Sequence, residues 1–274
     1  MKAGTLLAAI FLVLAVYPAS AAEPVTFADA KLKAIVEKTL GSSNPTADDM
    51  LKLSKLYAGS LEIGDLGGLE HAKNLTSLCI HRNKIKDISP VANLGELSYL
   101  CIHDNQVEDI SAVAGMKNLT NLLLYGNKIE DISPIANLSS LASLYANNNR
   151  IKNISPVAGL KGLRFLNVSD NRIRDVSAIA GLTELTDLRM TNNKVNDLGA
   201  VGKLGKLKNL WVYGNPAALP SELCSDDSNT SVYCDSTQYA KLAGVSSTMG
   251  KVEFSGKVDN FMVSRNKCFI RMAA

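Results

Sequence analysis

The sequence predicts an α/β solenoid, in which short repeats stack along one axis. Two leucine columns and one asparagine column carry this prediction. The first column has a period of 22 residues without a slip: Leu53, Leu75, Leu97, Leu119, Leu141, Leu163, Leu185 and Leu207. A second leucine follows three residues after each of these, and asparagine occupies the ninth position of seven turns. A fixed period of this length is typical of repeat proteins, in which each turn buries its apolar side against its neighbours.

Residues 1–21 predict a secretory signal peptide. Lys2 precedes an apolar run from Leu6 to Tyr17, and small residues follow up to Ala21. The run is too short to span a bilayer as a stable helix, so we expect cleavage near Ala21. The mature protein is then predicted to be secreted or periplasmic, and no later stretch is apolar enough for a membrane anchor.

Residues 22–52 are predicted to form a helical cap on the first turn. The segment from Phe27 to Leu40 has apolar residues at helical spacing, namely Leu32, Ile35, Val36 and Leu40. A second short helix is indicated by Thr46-Ala47-Asp48-Asp49, which is typical of a helix N-terminus. The first turn of a solenoid exposes its core unless such a cap covers it.

Residues 53–216 hold about eight repeats, each with a short strand. Around Leu78 and Ile80 the sequence alternates with a period of two, which points these two side chains inward and those of Ser77, Cys79 and His81 outward. One strand per turn predicts a parallel sheet on the concave side. The column asparagines are expected to face inward at a bend and bond to backbone groups.

The return path of each repeat is predicted to lie on the convex side as short 3₁₀ or irregular turns. Pro90, Pro134 and Pro156 stand where such a turn would begin, a position that proline tolerates. We therefore expect a gentle arc, because the outer side is nearly as narrow as the inner one.

Residues 217–274 lose the repeat and are predicted to form a C-terminal cap. Cys224 and Cys234 flank a polar loop, and we expect a disulfide between them, with Cys268 as a competing partner. Lys251 to Val263 alternates loosely and is a candidate hairpin over the last turn. The chain has five cysteines, an odd number, so at least one is left over or pairs between chains.

The outward strand positions are the most informative about function, because packing does not dictate them. They are rich in aromatic side chains, although only 5% of the chain is aromatic. Rings and arginine are the residues that anchor protein interfaces. The alternative is that exposed aromatics merely fill strand positions, where they are favoured. The candidate partner-binding residues are Tyr57, Tyr99, Leu123, Tyr125, Tyr145, Phe165, Arg189, Trp211 and Tyr213.

A second candidate site is a Cys-x-His pair on two consecutive strands. Cys79, His81, Cys101 and His103 occupy equivalent positions, so four sulfur and nitrogen donors are expected to lie close together. They could hold zinc or copper. The two cysteines are also near enough for a disulfide, and a duplicated repeat carrying two inert pairs explains the same sequence.

Composition and motifs argue against other functional classes. The net charge of +3 is too small for general nucleic-acid binding. The chain has neither a Gly-rich phosphate loop nor a nucleophile elbow, and its three histidines form no acid–base motif. The sequence therefore predicts a protein that is not an enzyme and needs no cofactor.

The 22-residue unit, the Asn-x-Ile-x-Asp-Ile-Ser-Pro string and the entry helix from Phe27 to Ala34 resemble the bacterial internalin-type leucine-rich repeat proteins. The resemblance covers about Val25 to Pro216. It implies a right-handed leucine-rich repeat arc and an exported recognition protein that binds a protein partner, including host proteins, on its concave face. We expect a monomer. A metal-binding or redox protein that uses the Cys-x-His pairs is the alternative function.

Overall fold

The computed structural model describes residues 22–220, 223 and 230–234, and the strands at 258–264 and 267–272. The predicted signal peptide lies outside these residues and stays a prediction. Among residues 22–54, two helices precede the sheet, α1 (Ala30–Leu40) and α2 (Ala47–Met50). Among the described residues, no helix has the length and apolar character that crossing a membrane requires.

The described strands form one sheet in which each strand pairs with the next strand along the chain. They are β1 (Lys55–Tyr57), β2 (Ser77–Cys79), β3 (Tyr99–Cys101), β4 (Asn121–Leu123), β5 (Ser143–Tyr145), β6 (Phe165–Asn167), β7 (Asp187–Arg189), β8 (Asn209–Trp211), β9 (Ser231–Cys234), β10 (Val258–Ser264) and β11 (Lys267–Met272). Strands β1 to β9 are parallel, and the 22-residue period places equivalent residues side by side, as in Leu56 opposite Leu78. The predicted solenoid with its parallel sheet is confirmed.

The convex side consists of short 3₁₀ turns, as predicted. They span Leu69–His71, Ser89–Val91, Ser111–Gly115, Ser133–Ile135, Ser155–Gly159, Ser177–Gly181 and Val201–Lys203. In the second of these, Pro90 stands at the beginning of the turn, and the Asp87 carboxylate accepts hydrogen bonds from Ser89 N–H at 2.7 Å and from Ser89 Oγ at 2.8 Å. Such local side-chain bonds compete with a regular helix and favour a short turn.

One continuous apolar core runs between the sheet and these turns. Leu75, Leu78, Ile80 and Ile85 of a single repeat are all fully buried. Each repeat packs mainly on its two neighbours, so the core has no centre and its two ends need covers.

The column asparagines satisfy the backbone where the strands end. Asn83 Oδ1 accepts from the N–H of Ile63 at 2.9 Å, and Asn83 Nδ2 donates to the carbonyls of Ala58 at 2.8 Å and Ile80 at 2.9 Å. The same pattern recurs through Asn215. Because each amide bonds to its own turn and to the preceding one, it ties consecutive repeats together, as predicted.

Helix α1 covers the N-terminal end of the core with Leu32 and Val36. It begins at Ala30, because Asp29 Oδ1 accepts from the N–H groups of Lys31 at 2.8 Å and Leu32 at 3.1 Å. Phe27 packs partly buried before the helix. Its ring occupies the space where a Cβ at Gly68 would lie, and Gly68 has φ of +102°, so only glycine suits that position.

At the other end, β9 extends the parallel sheet by one strand beyond Pro216. Val232 aligns with Leu210 and is fully buried, as is Cys234. Strand β10 then pairs antiparallel with β9 and with β11. The described hairpin therefore spans 258–272, further along the chain than the predicted segment from Lys251 to Val263. Cys224 lies outside the described residues, so its disulfide with Cys234 stays a prediction.

Candidate protein-binding face

The outward strand positions form three rows across the sheet, because the strands are in register. The central row runs through Tyr57, Cys79, Cys101, Leu123, Tyr145, Asn167, Arg189, Trp211 and Tyr233. Neighbouring strands in a sheet lie about 4.8 Å apart. Side chains in one row therefore stack directly on each other, and long ones reach into the next row.

The C-terminal half of the face carries a continuous stack that we call the aromatic ladder: Tyr145, Phe165, Arg189, Trp211 and Tyr233. The rings of Tyr145 and Phe165 stack with centroids 4.3 Å apart, and those of Trp211 and Tyr233 stack at 4.6 Å. The Arg189 guanidinium joins the two pairs, with Cζ 5.5 Å from the Phe165 centroid and 4.3 Å from that of Trp211. The ladder spans five strands.

Arg189 carries a charge that its surroundings do not neutralise. Its Nε is buried and has no hydrogen-bond partner among the described residues, and the described part of the chain offers Arg189 no ion pair. The nearest acid on its own strand, Asp187, is engaged elsewhere: it accepts from Thr186 Oγ1 at 2.7 Å and from Asn209 Nδ2 at 2.8 Å. An unsatisfied buried donor is costly, so this arginine is suited to an acceptor that comes from outside.

The N-terminal half of the face has a second stack in the row beside the central one. The rings of His81 and His103 lie 4.7 Å apart, and those of His103 and Tyr125 lie 4.0 Å apart. His103 Nδ1 is 3.0 Å from Asp104 Oδ2. Burial lowers the pKa of His103, and this effect outweighs the opposing influence of the Asp104 carboxylate.

The Cys-x-His pairs contribute three clustered donors, not four. Potential ligand atoms of Cys79, His81 and Cys101 all lie within 4.8 Å of one another. His103, the fourth predicted donor, is not part of this cluster: its ring is stacked on Tyr125 and its Nδ1 faces Asp104. Both thiols are free, so the two cysteines are not joined by a disulfide in this structure.

The two neighbouring thiols have pKa values shifted in opposite directions. Hydrogen bonding from the Cys101 thiol and from His81 holds the pKa of Cys79 well below its ordinary value, against the effect of burial. The same contact with Cys79, together with burial, raises the pKa of Cys101. Burial and the adjacent Cys101 and Cys79 raise the pKa of Tyr99 to about 12.

The structure gathers some of the predicted partner-binding residues and leaves others apart. Tyr57 is 63% exposed on the first strand, and neither it nor Tyr213 has a ring contact within the described residues. Leu123 is half-buried between Cys101 and Tyr145 in the central row. Tyr233 belongs to the ladder but escaped the sequence analysis, because β9 lacks the leucine spacing. The alternation in Ser231-Val232-Tyr233-Cys234 is the signal that could have revealed it.

Five overlapping matches to the family model of paired leucine-rich repeats cover residues 73–203. The solved structure of internalin C2 from Listeria monocytogenes is 32% identical, with a TM-score of 0.74, and the match covers 79% of this chain and 99% of that one. This chain belongs to the internalin family. The resemblance predicted from the repeat unit and the entry helix is thereby confirmed, and the internalin leucine-rich repeat fold is that of a protein-interaction domain.

Two further solved structures share the fold. An internalin (InlF) from Listeria monocytogenes is 32% identical with a TM-score of 0.70, and the match covers 72% of this chain. This chain spans 60% of the length of that one. A leucine-rich repeat protein from Leptospira interrogans is 25% identical with a TM-score of 0.56, over 64% of this chain and 46% of that one. No curated protein sequence matches this chain significantly.

Proposed function

We propose that this internalin-type protein is an exported, non-enzymatic recognition protein that binds a protein partner on its concave face. Host proteins are the class of partner that we propose to test first. The aromatic ladder is the observation that carries the proposal. The chain acts as a monomer in this proposal, because one copy already presents the whole ladder.

Packing within the protein does not account for the ladder. Its members point away from the apolar core, and none of them belongs to it. Soluble proteins seldom expose contiguous apolar surface unless it binds something. Tyrosine, tryptophan and arginine are the residues that most often dominate binding energy, and the two aromatic ones bury a large area with few side-chain rotations.

The ladder also suggests what the partner presents. Arg189 lies between two rings and has no ion pair within the described residues. A carboxylate or another acidic group on the partner would form one with its guanidinium. Charge-assisted hydrogen bonds to such a group gain strength where water is excluded. Neutral polar neighbours, Asn147 and Asn167, would add selectivity rather than affinity.

The proposed binding surface extends from the ladder across the remaining outward residues. These are Tyr57, Tyr99, Leu123, Tyr125 and Tyr213, which the sequence analysis selected together with Tyr145, Phe165, Arg189 and Trp211, and to which we add Tyr233. The ladder forms the centre of this surface in our proposal, because its members support one another's positions.

The double variant Tyr145→Ala/Phe165→Ala tests the proposal. We expect it to lose capture of a partner that the mature protein retrieves from host-cell extracts, with an affinity loss of at least about 100-fold, or about 2.8 kcal/mol. The melting temperature should stay close to that of the wild type, because both rings point out of the core. Lys203→Ala, in the convex turn Val201–Lys203, is the matched control and should bind normally.

Arg189→Gln tests the charge of the partner in the same assay. It should weaken binding about tenfold at low salt and reduce the salt dependence of binding, because ions screen the attraction between charges.

Undiminished capture by the double variant would show that the ladder is not the binding surface. Binding that does not depend on Arg189 would show that the partner presents no acidic group there.

A further inference from the structure

We propose that Cys79, His81 and Cys101 form a binding site for a thiophilic d¹⁰ metal ion, with Zn²⁺ as the ion to test. The site lies on the concave face of β2 and β3, apart from the aromatic ladder. It is independent of the proposed protein-binding function.

The distances suit one metal ion. Cys79 Sγ and His81 Nδ1 are 3.3 Å apart, and ligands of these types on one tetrahedral zinc ion lie about 3.5 Å apart. Potential ligand atoms of all three residues lie within 4.8 Å of one another. Two sulfurs on a zinc ion lie about 3.8 Å apart, so a modest rotation of the cysteine side chains would complete the set.

The fold holds the histidine in place. The ring of His81 lies directly over Gly59, where a Cβ would collide with it, and its other face stacks on His103 at 4.7 Å. A ring confined on both sides keeps its Nδ1 beside Cys79. The neighbouring strand supplies Cys101 in register with Cys79, so the metal would link two consecutive repeats.

The charges are also favourable. The Cys101 thiol and His81 both interact with Cys79 and lower the pKa of its thiol. Zinc binding would release the thiol protons to solvent, and two thiolates would neutralise the charge of Zn²⁺. Three protein ligands leave a fourth position for water or for a group from a partner, as in zinc sites that remain open.

None of the three residues belongs to the apolar core, so packing of the core does not dictate them. Cys79 and Cys101 occupy outward positions of β2 and β3, and His81 follows β2. Cys101 is 2% exposed and Cys79 is half-buried, so the site is sheltered yet accessible to an ion.

The test is metal titration of the reduced mature protein under anaerobic conditions. With Zn²⁺ we expect one equivalent bound, measured by calorimetry and elemental analysis, and two thiols protected from a thiol reagent. With Co²⁺ we expect thiolate-to-metal charge-transfer absorption and the intense visible bands of tetrahedral cobalt. Cys79→Ser and Cys101→Ser should each abolish this signal, and His81→Ala should weaken binding at least tenfold.

His71→Ala is the matched control, since it removes a histidine of the convex turn Leu69–His71, away from the three ligands. It should bind metal as the wild type does. The tail cysteines remain in every variant, so any metal that survives in the Cys79→Ser protein belongs to the tail. Circular dichroism before and after titration verifies that each variant is folded.

Three outcomes would overturn the proposal. These are no stoichiometric uptake by the wild type, equal uptake by Cys79→Ser, and equal losses in His71→Ala and His81→Ala. A Cys79–Cys101 disulfide that forms in air, together with no metal uptake by the reduced protein, would also overturn it, in favour of a redox pair.

Discussion

At the scale of single residues, the column asparagines make hydrogen bonds to the backbone that no apolar side chain could make. A strand of three residues ends in a bend, and its backbone groups there cannot continue the sheet ladder. In the repeat of Asn127, Oδ1 accepts from Val107 N–H at 3.0 Å, and Nδ2 donates to the carbonyls of Ile102 at 3.0 Å and Leu124 at 2.9 Å. Because all three backbone groups are buried away from water, the Asn127 side-chain amide supplies the hydrogen bonds that water cannot.

Asn127→Ala should therefore destabilise the protein by at least about 2 kcal/mol, because it leaves buried backbone groups without partners. Urea denaturation followed by the fluorescence of Trp211 would measure the loss. Asn147→Ala is the control: this residue points outward from the same sheet, and we expect a change within about 0.5 kcal/mol. Equal effects of the two substitutions would contradict the role assigned to the column.

At the scale of elements, the entry helix is joined to the first repeat by one carboxylate. Asp29 Oδ1 caps α1, while Asp29 Oδ2 accepts from Gly64 N–H at 2.8 Å. Burial acts to raise the pKa of Asp29, but the hydrogen bonds from Gly64, Leu32 and Lys31 outweigh it and lower the pKa below 3.8. The charged form therefore stabilises both the helix and its junction with the solenoid.

Asp29→Asn should reduce stability at neutral pH and flatten its dependence on acid. A carboxylate whose pKa is lower in the folded state contributes its stability above the unfolded value of 3.8. That contribution is lost as the pH falls through the lower folded value. Urea midpoints at pH 7 and at pH 3 should thus differ less for the variant than for the wild type. Asp48→Asn, an exposed acid of α2, is the control and should retain the wild-type difference.

At the scale of the whole molecule, stability depends on contacts between neighbouring repeats and on the two covers. Helix α1 covers one end, and β9 extends the other, where Val232 takes the place of a repeat leucine opposite Leu210. Val212 N–H also donates to the Tyr233 carbonyl at 2.9 Å. Strand β9, which follows Pro216 in the chain, therefore belongs to the solenoid.

Val232→Asp should destabilise the protein by about 3 kcal/mol or more, because it buries an unpaired charge at the end of the core. Tyr233→Asp, one residue along and pointing outward, should cost much less in stability yet weaken partner binding by breaking the ladder. Denaturation and binding measured on both variants separate the two effects. Equal stability of the two proteins would mean that β9 does not close the core.

The local sequence was sufficient for the repeat itself. A strict period of 22 specifies which side chains face inward, so the leucine columns, the asparagine contacts and the proline-led turns were all predictable from spacing. The end of the array was not predictable from spacing, because Ser231-Val232-Tyr233-Cys234 joins the sheet without the 22-residue leucine spacing. Strand β9 enters the sheet by pairing with β8. A pairing between two separate segments of the chain is not visible in the local sequence of either one.

The sequence by itself determined the solenoid, the direction of each side chain and the family, because these follow from a period repeated many times. Tertiary structure alone decided which outward residues touch. It joined Arg189 to rings on both neighbouring strands, added Tyr233 to the ladder, and placed His103 Nδ1 beside Asp104. Spacing along a strand specifies the face that a side chain occupies, whereas its contacts depend on rotamers that the neighbouring strands select.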